Sequence, residues 1–296
     1  MIRSLQRNLL AIGLFFSVMV MGWGVVIEAV LANKTPELLM FDSASGEVNM
    51  VSVYATTAET QADTIKTFFK TSKSFYKKIP GFHSFSMLAS QDGARIIELT
   101  QWQDQASYDA FKASLTSDAS QAEDYTKYYE KYKKAKDKGQ SETKATAVEP
   151  FLTASFVIDQ VVSPPGLLAA IAGGASLVQF SGFTTDTVEH QDDLLAMAQT
   201  SLAAVPAMYP APRTTVLLKG VESPYVALLA NWGNTTEFSD LDQIPRITLT
   251  TESVEQDSVK PESTEPEKEP VLMTTDDNLY QVVKVISSKP ETYDKD

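Results

Sequence analysis

Residues 79–111, IPGFHSFSMLASQDGARIIELTQWQDQASYDAF, constrain the fold of this chain more than any other stretch. Pro80-Gly81 stops a helix, because proline lacks the backbone donor and glycine accepts the left-handed cap. Residues 82–90 and 94–102 alternate like strands, and Asp92-Gly93 between them is a hairpin signal. Asp104 can cap a helix that starts just past Trp102, with Tyr108, Phe111 and Leu115 on its inner face. Alternation sends Arg95, Ile97, Leu99 and Gln101 to one side of the second strand. It sends Ile96, Glu98, Thr100 and Trp102 to the other.

The flanking sequence completes a unit. Residues 48–55 read as a first strand, residues 59–79 as a helix with Ile65, Phe68 and Phe69 on one face, and residues 152–162 as a fourth strand. A helix over 119–138 carries Tyr125, Tyr128, Tyr129 and Tyr132 in a stripe that reads as packing. The order is β-α-β-β-α-β, which is ferredoxin-like.

A weaker copy follows. Residues 177–183 are a strand and 188–205 a helix, and Pro206 stands where Pro80 stood. Residues 214–219 and 225–232 form the hairpin, Trp232 matches Trp102, and residues 279–287 are the last strand. Residues 255–277 are acidic and proline-rich, and read as a disordered insertion. A four-stranded sheet covered by helices on one face needs a partner for the other. The expected fold is therefore α+β, with two ferredoxin-like repeats (47–166 and 175–288) closing as a pseudo-dimeric α+β barrel, preceded by an N-terminal hydrophobic helix.

Composition narrows the chemistry. The net charge of −13 argues against nucleic acid, whose phosphates call for a basic surface. With no cysteine, thiolate catalysis, disulfides and cysteine metal sites are excluded. His83 and His190 are the only histidines, too few for a multi-histidine metal centre. Arg3 and Arg7 precede an uncharged apolar run over residues 9–27, so residues 1–32 read as a signal peptide or a membrane anchor. Either reading places the rest of the chain outside the cytoplasm, with membrane contact through residues 9–27 if they are retained.

At Pro80-Gly81-Phe82, Ser90-Gln91-Asp92-Gly93, Arg95, Gln101-Trp102-Gln103-Asp104 and Val148-Glu149-Pro150 the chain resembles the antibiotic biosynthesis monooxygenase superfamily. The resemblance is strong over residues 48–162 and weaker over 177–287. It implies a dimeric α+β barrel. The superfamily spans cofactor-independent oxygenases of aromatic polyketides, haem-degrading enzymes, signal-molecule isomerases and members with no known reaction. It implies that Trp102 sits beside a substrate cavity and that Asn49 lies near an active-site asparagine. The haem-degrading branch carries a histidine after the tryptophan, and residues 103–138 have none, so no cofactor is expected.

The candidate catalytic residues are thus Trp102, Asn49 and His83, whose imidazole titrates near neutrality. Trp102, Trp232 and the anion-binding candidate Arg213 are expected to line the cavity. One reading is an exported monooxygenase acting without cofactor on a small aromatic or polyketide-like substrate. The other is a non-catalytic barrel that binds a small apolar ligand or an envelope partner.

Overall fold

The computed structural model of the protein describes residues 37–116, 149–249 and 272–288. The expected leader (1–32), the tyrosine-striped helix (119–138) and most of the acidic insertion lie outside these residues. The described elements run in the order β1 (Leu38–Met40), β2 (Val48–Ala55), α1 (Gln61–Phe75), β3 (Phe82–Ser90), β4 (Arg95–Trp102), α2 (Gln105–Thr116), β5 (Leu152–Val162), β6 (Ala170–Ala172), β7 (Ser176–Thr184), α3 (Gln191–Ala204), β8 (Thr214–Gly220), β9 (Tyr225–Asn234) and β10 (Met273–Ser287). Among them no helix is long and apolar enough to cross a membrane.

Eight strands close into a barrel in the order β10-β3-β4-β2-β5-β8-β9-β7, and every pairing is antiparallel. Each half has the same strand order. The half from β2 to β5 runs β5-β2-β4-β3, and the half from β7 to β10 runs β10-β7-β9-β8. The last strand of each half pairs with the second strand of the other, so neither sheet keeps a free edge.

The alternation read from β4 holds. Ile97 and Leu99 point into the barrel, where all eight barrel strands contribute apolar side chains such as Val51, Phe156, Phe180, Leu218 and Tyr280. Ile96 and Trp102 point outward, beneath α1 and α2, with Phe82, Phe85, Met87 and Phe111. At the bend between α1 and β3, Gly81 adopts φ +73°, and a Cβ there would lie 2.4 Å from Ser107 Cβ. Glycine therefore lets α2 sit directly against the end of β3.

Two very short strands were not foreseen. β1 lies ahead of the first half, and β6 lies between the two halves. They pair as Leu38↔Ala172, Leu39↔Ile171 and Met40↔Ala170. Leu39 and Ile171 join the barrel's apolar interior. The interior between the two sheets is an apolar core that also holds buried polar groups, Asn49, Gln101 and Asp276 among them, and one end is filled by this small sheet.

The second half departs from the expected β-α-β-β-α-β order. After β9 there is no α-helix among the described residues, only single 3-10 turns at Thr235–Glu237 and Leu241–Gln243. A capping box between Asn234 and Glu237 closes the first turn, Phe238 returns to an extended conformation, and Asp240 starts another short turn. Pro245 then bars further helix. Residues 244–249 instead lie as an extended strap over the sheet, with Ile244 and Ile247 buried against Trp232, Leu177 and Leu279. Gln179 holds the strap by accepting from Ile247 N (3.1 Å) and donating to Ile247 O (3.0 Å). Gln179→Ala should cost about 2 kcal/mol by stranding those backbone groups. Hydrogen exchange at the Ile247 amide should accelerate beyond the global rate.

β10 starts at Met273, so residues 273–277 belong to a strand rather than to the disordered insertion expected over 255–277. Their polar sequence is used inside the barrel. Asp276, with 1% of its side chain exposed, meets Arg95 Nη1 at 2.8 Å and accepts from Tyr280 Oη (2.7 Å) and Asn278 Nδ2 (2.8 Å). Arg95 keeps 32% exposure, so Asp276→Ala should cost about 2 kcal/mol, below the ~3–5 of a fully buried pair. The urea midpoint would report it.

Candidate functional site

Trp102 is fully buried, but under the helices rather than in the barrel. Its ring stacks on Phe111 (centroids 4.7 Å) and meets Phe82 and Tyr108 edge-on, both at 5.8 Å. Its Nε1 donates to Thr100 Oγ1 at 2.9 Å. Trp102 therefore lies on the helix-covered face of the sheet and not in the barrel interior. The helix that begins three residues after it brings Tyr108 and Phe111 onto the same face, and that aromatic cover draws the indole outward.

The other expected site residues are scattered. Asn49 does face the barrel interior, fully buried, where its Oδ1 accepts from Gln101 Nε2 (3.1 Å). Gln101 is fixed in turn by Ser84 Oγ (2.7 Å) and the Met40 carbonyl (2.7 Å). His83 sits at a β-bulge between Phe82 and Ser84, which turns it to the rim, where its Nδ1 pairs with Glu47. Trp232 is buried on the helix side of the second half. Arg213 is exposed and makes a bidentate pair with Glu237 Oε1 and Oε2 (2.6 and 2.7 Å). Asn49, His83, Trp232 and Arg213 thus lie on other faces or in other halves than the Trp102 cluster.

What the structure does gather around Trp102 is a carboxylic acid. Glu98, on the same outward face of β4, accepts from Tyr54 Oη at 2.8 Å and from Tyr76 Oη at 3.0 Å. The Tyr76 ring bridges this acid to the aromatic cluster. It stacks on Phe82 (5.1 Å) and Phe85 (5.3 Å) and presents an edge to Trp102 (6.4 Å). Tyr54 in turn packs on Phe68 of α1 (4.9 Å). The acid, the two phenols and the indole therefore belong to one packed cluster between β4 and α1.

Burial raises the Glu98 pKa above the ordinary carboxylate value, opposed by the two tyrosine hydrogen bonds. The residue nevertheless keeps part of its surface open to solvent. Protein thus surrounds most of the Glu98 carboxyl, and part of the residue reaches solvent. A carboxyl with a raised pKa is a better base once ionised and a usable acid near neutrality. Sequence reasoning placed Glu98 on this face without singling it out. The available signal was a lone charge at the centre of the apolar, helix-covered face Ile96, Thr100, Trp102.

No protein-family model matches the sequence, and no curated protein is significantly similar to it. Solved structures do match the fold. An anthrone oxidase-like protein shares 14% identity, with 85% of this chain and 97% of that one covered, at a TM-score of 0.50. A protein of Fusobacterium nucleatum subsp. nucleatum, provisionally named a monooxygenase, shares 7% identity over 82% and 95% of the two chains (TM-score 0.45). A Listeria monocytogenes ferredoxin-fold protein related to antibiotic biosynthesis monooxygenases shares 10% over 82% and 98% (TM-score 0.32). At these identities the likeness is one of fold. The chain has the α+β barrel fold of the anthrone oxidase-like protein.

Proposed function

We propose that the chain is an exported monooxygenase-like enzyme that oxidises a small, electron-rich aromatic substrate without a cofactor, in the cleft between β4 and α1. The observation that carries this reading is the Glu98 carboxyl, with its raised pKa, held by two phenols inside an aromatic shell. In the proposed reaction, ionised Glu98 removes a proton from an activated CH2 between aromatic rings. The resulting carbanion reduces O2 and combines with it, and the proton returns to give a hydroperoxide. Loss of water leaves a ketone, so Ar2CH2 and O2 become Ar2C=O and H2O. The aromatic shell excludes bulk water and strengthens every polar contact at the carboxyl.

The name of the anthrone oxidase-like neighbour supplies a probe of this substrate class. Purified full-length protein mixed with anthrone should consume oxygen above the uncatalysed rate, and more so as pH rises through the Glu98 titration. Uptake no faster than in buffer would count against the reading.

A second reading, a binding module without chemistry, draws on the complete enclosure of Trp102, which leaves no open indole face for a ligand to stack on. Anthrone that quenches tyrosine and tryptophan emission without raising oxygen uptake would favour it. The identical strand order of the halves supports reading residues 47–166 and 175–288 as duplicated units. Among the described residues, the second carries the 244–249 strap where the first carries α2. In this reading residues 1–32 direct export and, where retained, hold the barrel at a membrane.

A further inference from the structure

The small sheet that plugs the barrel has a second face. Leu39 and Ile171 point inward, so Leu38, Met40, Ala170 and Ala172 point away from the barrel. Leu38 and Met40 are 42% and 39% exposed, and Leu167 and Leu168, just ahead of β6, are 63% and 75% exposed. The face carries no charged side chain. The sheet that presents it is fixed: Gln101 Nε2 donates to Met40 O (2.7 Å), Phe41 N to Ala169 O (2.8 Å) and Gly173 N to Glu37 O (3.1 Å). Beside the face, Glu37 is 45% exposed, with its Oε2 accepting from Ser287 N (2.7 Å) and its Oε1 paired with Lys77 Nζ (3.7 Å). A rigid, uncharged, leucine-rich surface of this kind marks an interaction site.

We infer that this face lies in the interfacial layer of a lipid bilayer, the one that takes up residues 9–27. The inference rests on the anchor reading proposed above and adds that the folded barrel itself touches lipid. Its support is position. The uncharged run ends at Ile27, and the described chain begins at Glu37, directly ahead of β1. Ten residues span at most roughly 35 Å, so an inserted run keeps β1 close to the membrane surface. The net charge of −13 disfavours attraction to anionic headgroups. The contact is therefore apolar, and neutral lipid suffices.

The absence of cysteine makes the test direct. Leu38→Cys, Met40→Cys, Leu168→Cys and, as a remote control, Tyr209→Cys (98% exposed) would each carry a polarity-sensitive fluorophore. Each full-length protein is reconstituted into phosphatidylcholine vesicles with brominated acyl chains. The probes at 38, 40 and 168 should shift to the blue and be quenched when lipid is added, and the probe at 209 should do neither. Protein that floats with the vesicles while all four probes stay in water would overturn this contact and leave the anchor standing. Protein that does not float would overturn both. Probes at 38, 40 and 168 already shielded before lipid is added would also overturn the contact with lipid.

Discussion

Trp102→Ala should destabilise the protein by about 3–5 kcal/mol, the cost of deleting a large buried aromatic. The ring is fully buried, stacked on Phe111 and edge-packed by Phe82 and Tyr108, and its indole N–H occupies Thr100 Oγ1. Truncation would empty the joint between β4, β3 and α2 and leave a hydroxyl without its donor. Domains of ordinary stability hold roughly 5–15 kcal/mol in total, so this single change should remove a large share and shift the urea midpoint accordingly. Trp102→Phe should recover part of the loss, because it keeps the stack on Phe111 and forfeits only the hydrogen bond and some volume. If Trp102 instead acts as a substrate wall with little packing role, alanine would leave the urea midpoint near wild type.

Glu98→Gln is expected to behave in the opposite way. It preserves shape, and its amide can still pair with Tyr54 and Tyr76, so the fold should persist. Oxygen uptake should fall by about 10²–10⁴-fold, the usual worth of a positioned general base. The stability profile follows from linkage. The folded pKa of Glu98 lies above its unfolded value because burial disfavours the charge. Between those two values the native state binds more protons than the unfolded state, so stability falls as pH rises through the window. Above the folded pKa the loss is complete. Wild type should therefore lose stability from the ordinary carboxylate range upward relative to Glu98→Gln, whose side chain does not titrate. A wild-type curve parallel to that of the variant would contradict the raised pKa.

Much of the fold was legible in the sequence. The Asp-Gly hairpin, the Pro-Gly helix stop and the two faces of β4 appear where the pattern puts them. Alternation, however, separates two faces without saying which becomes the barrel interior. Both faces of β4 are apolar enough to be buried, so the pattern grouped Trp102 with Ile96 without saying which side they would take. The aromatic residues of α2, Tyr108 and Phe111, held the information, because they need a partner that only the outward face supplies. β1 and β6 escaped notice because strands of three residues carry no periodicity and their pairing joins residues more than a hundred positions apart. Residues 273–277 looked like acidic linker because their carboxylates find partners only in three dimensions. Asp276 meets Arg95 and Tyr280, and Asp277 accepts from Gln179 and Ser181. Among the described residues, the short turns after β9 were written locally, in the Asn234–Glu237 capping box and Pro245.

Glu98 stands as the most informative residue for function. It is a carboxyl on a buried face that accepts from two phenols. Burial and those hydrogen bonds act on its pKa in opposite directions. The neighbouring interior polar group, Asn49, sits on the opposite side of the sheet and cannot reach the same cluster.

The contrast between these two residues gives the most direct test. Oxygen uptake with anthrone would be measured for wild type, Glu98→Gln and Asn49→Ala, each with its urea midpoint. A site in the cleft between β4 and α1 predicts that Glu98→Gln loses uptake at wild-type stability, whereas Asn49→Ala keeps its uptake and loses about 1 kcal/mol for the missing Gln101 contact. Uptake retained in Glu98→Gln and lost in Asn49→Ala would place the chemistry inside the barrel and contradict the account.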